Sequence, residues 1–215
     1  MNRVQLKIFA VLMMLLDHIA IFFINPENYL YSIFRCFGRI TAPLMIYLLV
    51  EGFIYTSSHL KYGLRLFLIG IVSQIPYALC FHNYHLNFLL ELFLIFSILI
   101  FLQKKKYLLI LMLLPLSVLF DWGIIAPIIA ITFYCLKSQL KFQLAAYTLI
   151  SLIWSSYQIF FLNSELPVLW WFGMFLVLLL LVIYNHKQGV KNFFTKWFFY
   201  IFYPLHLLCI WIFIR

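Results

Sequence analysis

The sequence is poor in charge, and poorest in acid. Its 215 residues hold 6 aspartates and glutamates against 15 lysines and arginines, and charged residues of both signs make up only 10%. Soluble globular chains carry roughly a quarter charged and about half apolar residues. Here 67% are hydrophobic and mean hydropathy is +1.06, which excludes a soluble domain. The 7 glycines and 7 prolines are dispersed, so there is no Gly-rich phosphate loop. A Ser-based triad signature and zinc-ligand spacing are also missing, and no metal is expected. The 4 cysteines, Cys36, Cys80, Cys135 and Cys209, stand singly in apolar segments with no CxxC pair, as small buried hydrophobes do. Without a linker, an internal repeat or a low-complexity stretch, residues 1–215 read as a single transmembrane domain.

What the chain has is long apolar runs. A spanning helix needs about 20 residues, and polar breaks divide the sequence into nine segments, approximately 5–24, 32–55, 62–81, 86–102, 106–120, 122–137, 141–162, 166–184 and 196–214. The expected fold is all-α: a polytopic transmembrane bundle of about nine helices, multi-pass in the lipid bilayer of the cytoplasmic (inner) membrane. Arg3 and Lys7 before the first run resemble a signal peptide, but Asp17 and His18 interrupt its apolar stretch and no small-residue cleavage site follows. A retained first helix is expected. Segments 106–137 turn at Asp121-Trp122-Gly123 between Pro115 and Pro127, which suits either two spans or a re-entrant hairpin.

The net charge of +9 would suggest nucleic acid in a soluble protein. Assigning alternate segment ends to the cytoplasm instead collects Arg3, Lys7, Lys61, Arg65, Lys104, Lys105, Lys106, Lys137, Lys141, Lys187, Lys191 and Lys196 on one side, 12 of the 15 cations. By the positive-inside rule the N-terminus is then cytoplasmic and the C-terminus external. The charge is topological, and no nucleic-acid partner is expected.

Ionisable side chains inside a bilayer are costly and generally functional. At a rise of about 1.5 Å per residue, His18 and Arg39 both fall about 10 Å below the outer surface. Asp17, Arg35, Glu91 and His206 share that outer third, and His85 and Asp121 lie at its rim. Such residues should turn inward and outline a polar cavity, although Arg35 and Arg39, spaced i to i+4, are long enough to snorkel outward. Pro43 deprives the Arg39 carbonyl of its helical partner and predicts a kink at that level. A second polar set, Lys7, Glu51, Arg65 and the run Tyr184-Asn185-His186-Lys187-Gln188-Gly189, lies toward the cytoplasm. Lys7 and His18 are eleven residues apart, so they share one helix face about 16 Å apart. His59, His82, His85 and Glu165 are expected in solvated loops.

A histidine beside a carboxylate suits a general base, an arginine suits a developing oxyanion, and cytoplasmic cations suit donor phosphates. Together these describe group transfer through a membrane cavity. A proton-coupled permease using Asp17, His18, Arg39 and Glu91 as a relay is the alternative, though no inverted repeat supports it. An assembly or scaffold subunit without chemistry is a third.

At Leu6-Lys7-Ile8, Leu16-Asp17-His18-Ile19, Gly38-Arg39-Ile40-Thr41-Ala42-Pro43, Leu49-Val50-Glu51-Gly52-Phe53, Tyr62 to Leu66, Ser73-Gln74-Ile75-Pro76-Tyr77, Asp121-Trp122-Gly123, Tyr184-Asn185 with Gly189, and Phe199 to His206, the chain resembles the TraX family over nearly its whole length. That family takes its name from a conjugation protein that acetylates the N-terminus of pilin. It is similar to multi-spanning acyltransferases that draw on acetyl-CoA, in which a basic residue, ten others and a histidine mark the first helix, as Lys7 and His18 do here. The resemblance implies acetyl-CoA as donor and His18 as base or transient acyl carrier, with Asp17 and Arg39 beside it. It also implies Lys7, Glu51, Arg65, Tyr184, Asn185 and Lys187 toward the donor, and Arg35, Glu91, Asp121, Tyr203 and His206 around the acceptor. The acceptor is pilin or another peptide, a sugar or a lipid head group. Gln74 stands where relatives often carry an acid, and His186 interrupts a Tyr-Asn-Gly-Lys type of loop.

Overall fold

The structure, a computed structural model, describes residues 1–161, 169–190 and 193–215. They are helical throughout, with no strand among the described residues. They sort into two compact units, Met1–Met45 with Leu136–Thr195, and Ile46–Cys135 with Lys196–Arg215.

In the first unit, α1 (Arg3–Phe23) begins where Asn2 forms a capping box with Gln5. The Gln5 amide donates to Asn2 at 2.9 Å, and the Asn2 amide donates to the Gln5 side chain at 2.8 Å, satisfying two of the amides that a helix start leaves open. Asn28 caps α2 (Tyr29–Gly38) in the same manner, so that helix starts earlier than hydropathy alone indicates. The chain breaks at Arg39-Ile40 and resumes as α3 (Thr41–Tyr55). Pro43 is the cause, since it has no N–H for the Arg39 carbonyl and disfavours helical backbone before it. Thr41 through Phe53 are all buried, as expected for a helix apolar on every side.

Two glycines bring α2 against its neighbours. A Cβ on Gly38 would meet the Asp17 side chain of α1, and one on Gly173, in α9 (Leu169–Ile183), would meet the Cys36 carbonyl of α2. Small residues at such contacts are how helices approach in lipid, where the solvent is as apolar as leucine. In α8 (Leu140–Phe160), Gln143, Tyr147, Ser151 and Ser155 recur every fourth position as one buried stripe, and the Tyr147 hydroxyl donates to the Met174 carbonyl of α9 at 2.8 Å. The N-terminal residues run beside the segment after α9. Met1 donates to the Ile183 carbonyl at 2.7 Å, Asn185 to that of Met1 at 2.9 Å, and Arg3 to that of Lys187 at 2.9 Å.

The second unit holds the rest of α3 with α4 (His59–Phe81), α5 (Phe88–Gln103), α6 (Tyr107–Leu113), a 3-10 turn (Leu114–Leu119), α7 (Ile125–Cys135) and most of α10 (Phe193–Ile214). Phe53 of α3 packs edge-on to Phe96 of α5, at 5.3 Å between centroids, and Tyr47 to Phe133 of α7, also at 5.3 Å. Neither arm of the stretch between Tyr107 and Cys135 reaches the membrane's thickness, since 11 residues of α7 span only about 16 Å against roughly 30 Å of hydrocarbon. This has the proportions of a re-entrant hairpin. Its arms begin and end on one side either way, so the alternation of cations is undisturbed.

Among the described residues, four helical stretches are long and apolar enough to cross a membrane: Arg3–Phe23, Tyr29–Tyr55 counted across its break, His59–Phe81 and Trp197–Ile214. Exposed Leu64, Leu68, Ile71, Val72 and Ile75 form a stripe of helical period along α4. In water that pattern would be inverted; in lipid it is the outer face.

Candidate functional site

Asp17 lies within the buried stripe of α1. At about 100° per residue, Leu6, Ala10 and Asp17 fall within about 40° of one another, while Lys7, Val11 and His18 fall on a second line about 100° round. The first line faces α2. There Arg35 Nη1 donates to Asp17 Oδ1 at 2.7 Å, with the two side chains only 13% and 22% exposed. Arg35 therefore turns inward and does not snorkel. Arg39, one turn later, lies close enough to act on the Asp17 carboxylate electrostatically, but Arg35 holds the hydrogen bond. His18 flanks this pair, half-buried, with its ring 6.5 Å from Phe22.

Two tryptophans complete the cluster. The Arg35 guanidinium lies 5.0 Å above the Trp170 ring, and that of Arg39 lies 4.9 Å above Trp171. These adjacent rings, each 4% exposed, present aromatic faces to cations one helical turn apart, the arrangement in which a ring quadrupole attracts a guanidinium. The available signal was a Trp-Trp pair predicted at the same depth as an Arg-x-x-x-Arg pair.

At the other end of α1, Lys7 is half-buried, and the Arg3 to Lys187 bond brings Tyr184, Asn185 and Lys187 to the same end of this unit. Tyr184 is buried with its ring 4.6 Å from His186, whereas Asn185 and Lys187 are exposed. Four of the six residues assigned to the donor thus share one unit. Glu51 and Arg65 belong to the other. There Glu51 is buried, and the Arg65 guanidinium lies 5.7 Å from the Tyr62 ring.

The second unit gathers its own polar group. The Tyr77 hydroxyl donates to Asp121. Glu91, wholly buried, accepts from the Trp122 amide at 3.3 Å. Tyr203 lies within electrostatic reach of Asp121, Tyr77 and Glu91. His206 packs against Tyr203, with ring centroids 5.6 Å apart, and its Nδ1 is 2.9 Å from the Phe202 carbonyl. Gln74 and Asn87 brace the rim. Asn87 donates to the Gly70 carbonyl at 2.8 Å and to Gln74 at 2.7 Å, and caps α5. Glu91, Asp121, Tyr203 and His206 were expected here. Tyr77, Gln74 and Asn87 were missed, although Gln74 and Tyr77 stand i to i+3 on one helix face. Glu165 lies outside the described residues.

Comparison with known proteins gives one family. The family profile described as TraX protein matches residues 2–214. A Dichelobacter nodosus protein described as probable fimbrial assembly protein FimC, serogroup H1, is 32% identical over 228 residues, covering 95% of this chain and 93% of that protein. No solved structure matches the chain.

Proposed function

The chain belongs to the TraX family, and from that premise we propose that it is an integral-membrane acyltransferase, taking acetyl from acetyl-CoA on the cytoplasmic side of the cytoplasmic membrane and passing it to an acceptor at the external face. One observation carries this reading: α1 presents Lys7 and His18 on one face, with Asp17, the neighbour of His18, held in place by Arg35 at 2.7 Å. A histidine can take a proton from an attacking amine or hydroxyl near neutral pH. The acceptor then attacks the thioester carbonyl, the C–S bond breaks, and the departing thiolate takes up a proton. At the donor end, Lys7, Lys187 and the exposed Asn185 supply the donors that suit CoA phosphates, and these residues all belong to one unit. The name of the Dichelobacter nodosus relative points the acceptor toward a fimbrial subunit, which agrees with a peptide N-terminus.

The test is calorimetric binding of acetyl-CoA to the purified protein, then release of CoA and acetyl transfer to a peptide amine. Binding that weakens in Lys7→Ala, and transfer lost in His18→Ala with binding retained, is the expected pattern. Absence of binding at millimolar donor removes the proposal. The permease is the second reading, favoured by Glu91, a wholly buried carboxylate whose Oε1 has no hydrogen-bond partner among the described residues. It predicts proton-coupled flux in liposomes that is lost in Glu91→Gln.

A further inference from the structure

The turn between α5 and α6 consists of three lysines, Lys104, Lys105 and Lys106, all exposed. The Lys106 amide donates to the Phe101 carbonyl at 2.9 Å and the Lys105 amide to that of Leu102 at 3.1 Å, the paired bonds of a Schellman end to α5. That motif holds the residue after the cap in the left-handed region, and Lys105 is there, at φ 55°. Glycine is the usual occupant, because a Cβ is penalised in that conformation. Lysine is thus kept against the preference of the backbone, so its side chain has a use beyond closing the turn. Topology alone does not call for it, since Lys104 and Lys106 beside it already supply positive charge on that side.

No carboxylate of the same stretch neutralises these charges. Residues 92–120 contain no acid, and Glu51, the acid expected on this side of the membrane, is buried. The chain continues from the lysines into α6 with one face settled. Ile110 is buried with Leu94 and Ile98 of α5, which turns Leu108, Leu111 and Met112 outward as one exposed stripe. Tyr107, also exposed, stands between the charges and the stripe, where a tyrosine suits the boundary of headgroup and hydrocarbon. Cations beside an apolar stripe match an amphiphile with an anionic head. A soluble phosphate compound would leave the stripe unused, and a zwitterionic lipid would bring a cation of its own against the lysines.

We infer that the α5–α6 turn is a binding site for an anionic phospholipid, with Lys104, Lys105 and Lys106 on the phosphodiester and Leu108, Leu111 and Met112 along an acyl chain. The test titrates the full chain in detergent with spin-labelled phosphatidylglycerol and phosphatidylcholine, in wild type and in Lys105→Gly. Glycine suits the turn, so the variant should melt about 2–4 °C higher. Its affinity for phosphatidylglycerol should nonetheless fall about fivefold, the contribution of one lysine near an anionic head group, with phosphatidylcholine unchanged. Lys104→Gln/Lys106→Gln, which leaves the left-handed residue alone, should lose about 25-fold. Equal binding of the two lipids by wild type, or unchanged phosphatidylglycerol affinity in both variants, overturns the site. Glycerophosphoglycerol, the head group without chains, should compete poorly; competition as strong as that of the whole lipid overturns the lipid assignment in favour of a soluble phosphate. A Lys105→Gly protein that melts below wild type would mark the lysine as a structural part of the turn and likewise overturns the proposal.

Discussion

Arg35 Nη1 donates to Asp17 Oδ1 at 2.7 Å across eighteen positions of sequence, joining α1 to α2 at the level of His18. The pair orients the carboxylate beside the proposed base and turns Arg35 away from lipid. It also places both guanidiniums over Trp170 and Trp171.

Breaking that pair should cost more than removing it. Asp17→Ala strands a buried guanidinium and is expected to destabilise by about 3–5 kcal/mol, lowering the melting temperature in detergent by on the order of 10 °C. The double variant Asp17→Ala/Arg35→Leu should recover most of that loss while staying inactive. A single variant that melts like wild type would show that the pair is structurally idle.

Gly173→Ala puts a methyl group where the Cys36 carbonyl lies. Because the obstacle is backbone, α2 and α9 must separate, and overpacking of this kind costs about 1–3 kcal/mol. Thermal melting checks it. Loss of acetyl transfer should accompany the shift, since the same seam seats both arginines.

Asn87 makes two kinds of bond, a cap to Leu89 and Leu90 and donor bonds to Gly70 and Gln74. Asn87→Asp keeps the cap and loses the donors, whereas Asn87→Ala loses both and should be the less stable by about 1 kcal/mol. Gln74→Glu keeps both acceptor bonds from Asn87 and loses only the donor to the His85 carbonyl. It should therefore melt close to wild type.

The backbone bonds from Arg3 to Lys187 and from Asn185 to Met1 require both segments to lie on one side of the membrane. Cysteines placed at Arg3 and Lys187 should be labelled from the cytoplasm by an impermeant maleimide in inverted vesicles, and one at Asn25 from the outside. Labelling of Lys187→Cys and Arg3→Cys from opposite faces would overturn the arrangement.

His18→Gln is expected to lower acetyl transfer by about 10²–10⁴-fold, the usual contribution of a general base. It should leave melting near wild type, since His18 lies off the line that faces α2. A large loss of stability would mark His18 as a packing residue instead.

Much of the fold was legible from local chemistry. Apolar runs between polar breaks placed the helices to within a few residues, and Asn28, acting as a cap, explains why α2 starts at Tyr29 and not at Ser32. Pro43 announced the break at Arg39-Ile40 one turn ahead of it, because the missing N–H is a property of the residue itself.

Sequence by itself therefore determined that this chain is a helical membrane protein of the TraX family, with Lys7 and His18 on one face of α1. Only the tertiary structure decided which of them meet. Arg35 and not Arg39 bonds Asp17, Trp170 and Trp171 lie under the arginines, and Glu91, Asp121, Tyr77 and Tyr203 form a separate group with α5. The physical reason is that hydrophobicity sets how deep a helix sits but not how it is rotated: in lipid every apolar face is equally well solvated. Rotation is settled by close approach at Gly38 and Gly173 and by the polar groups that find partners across the seam.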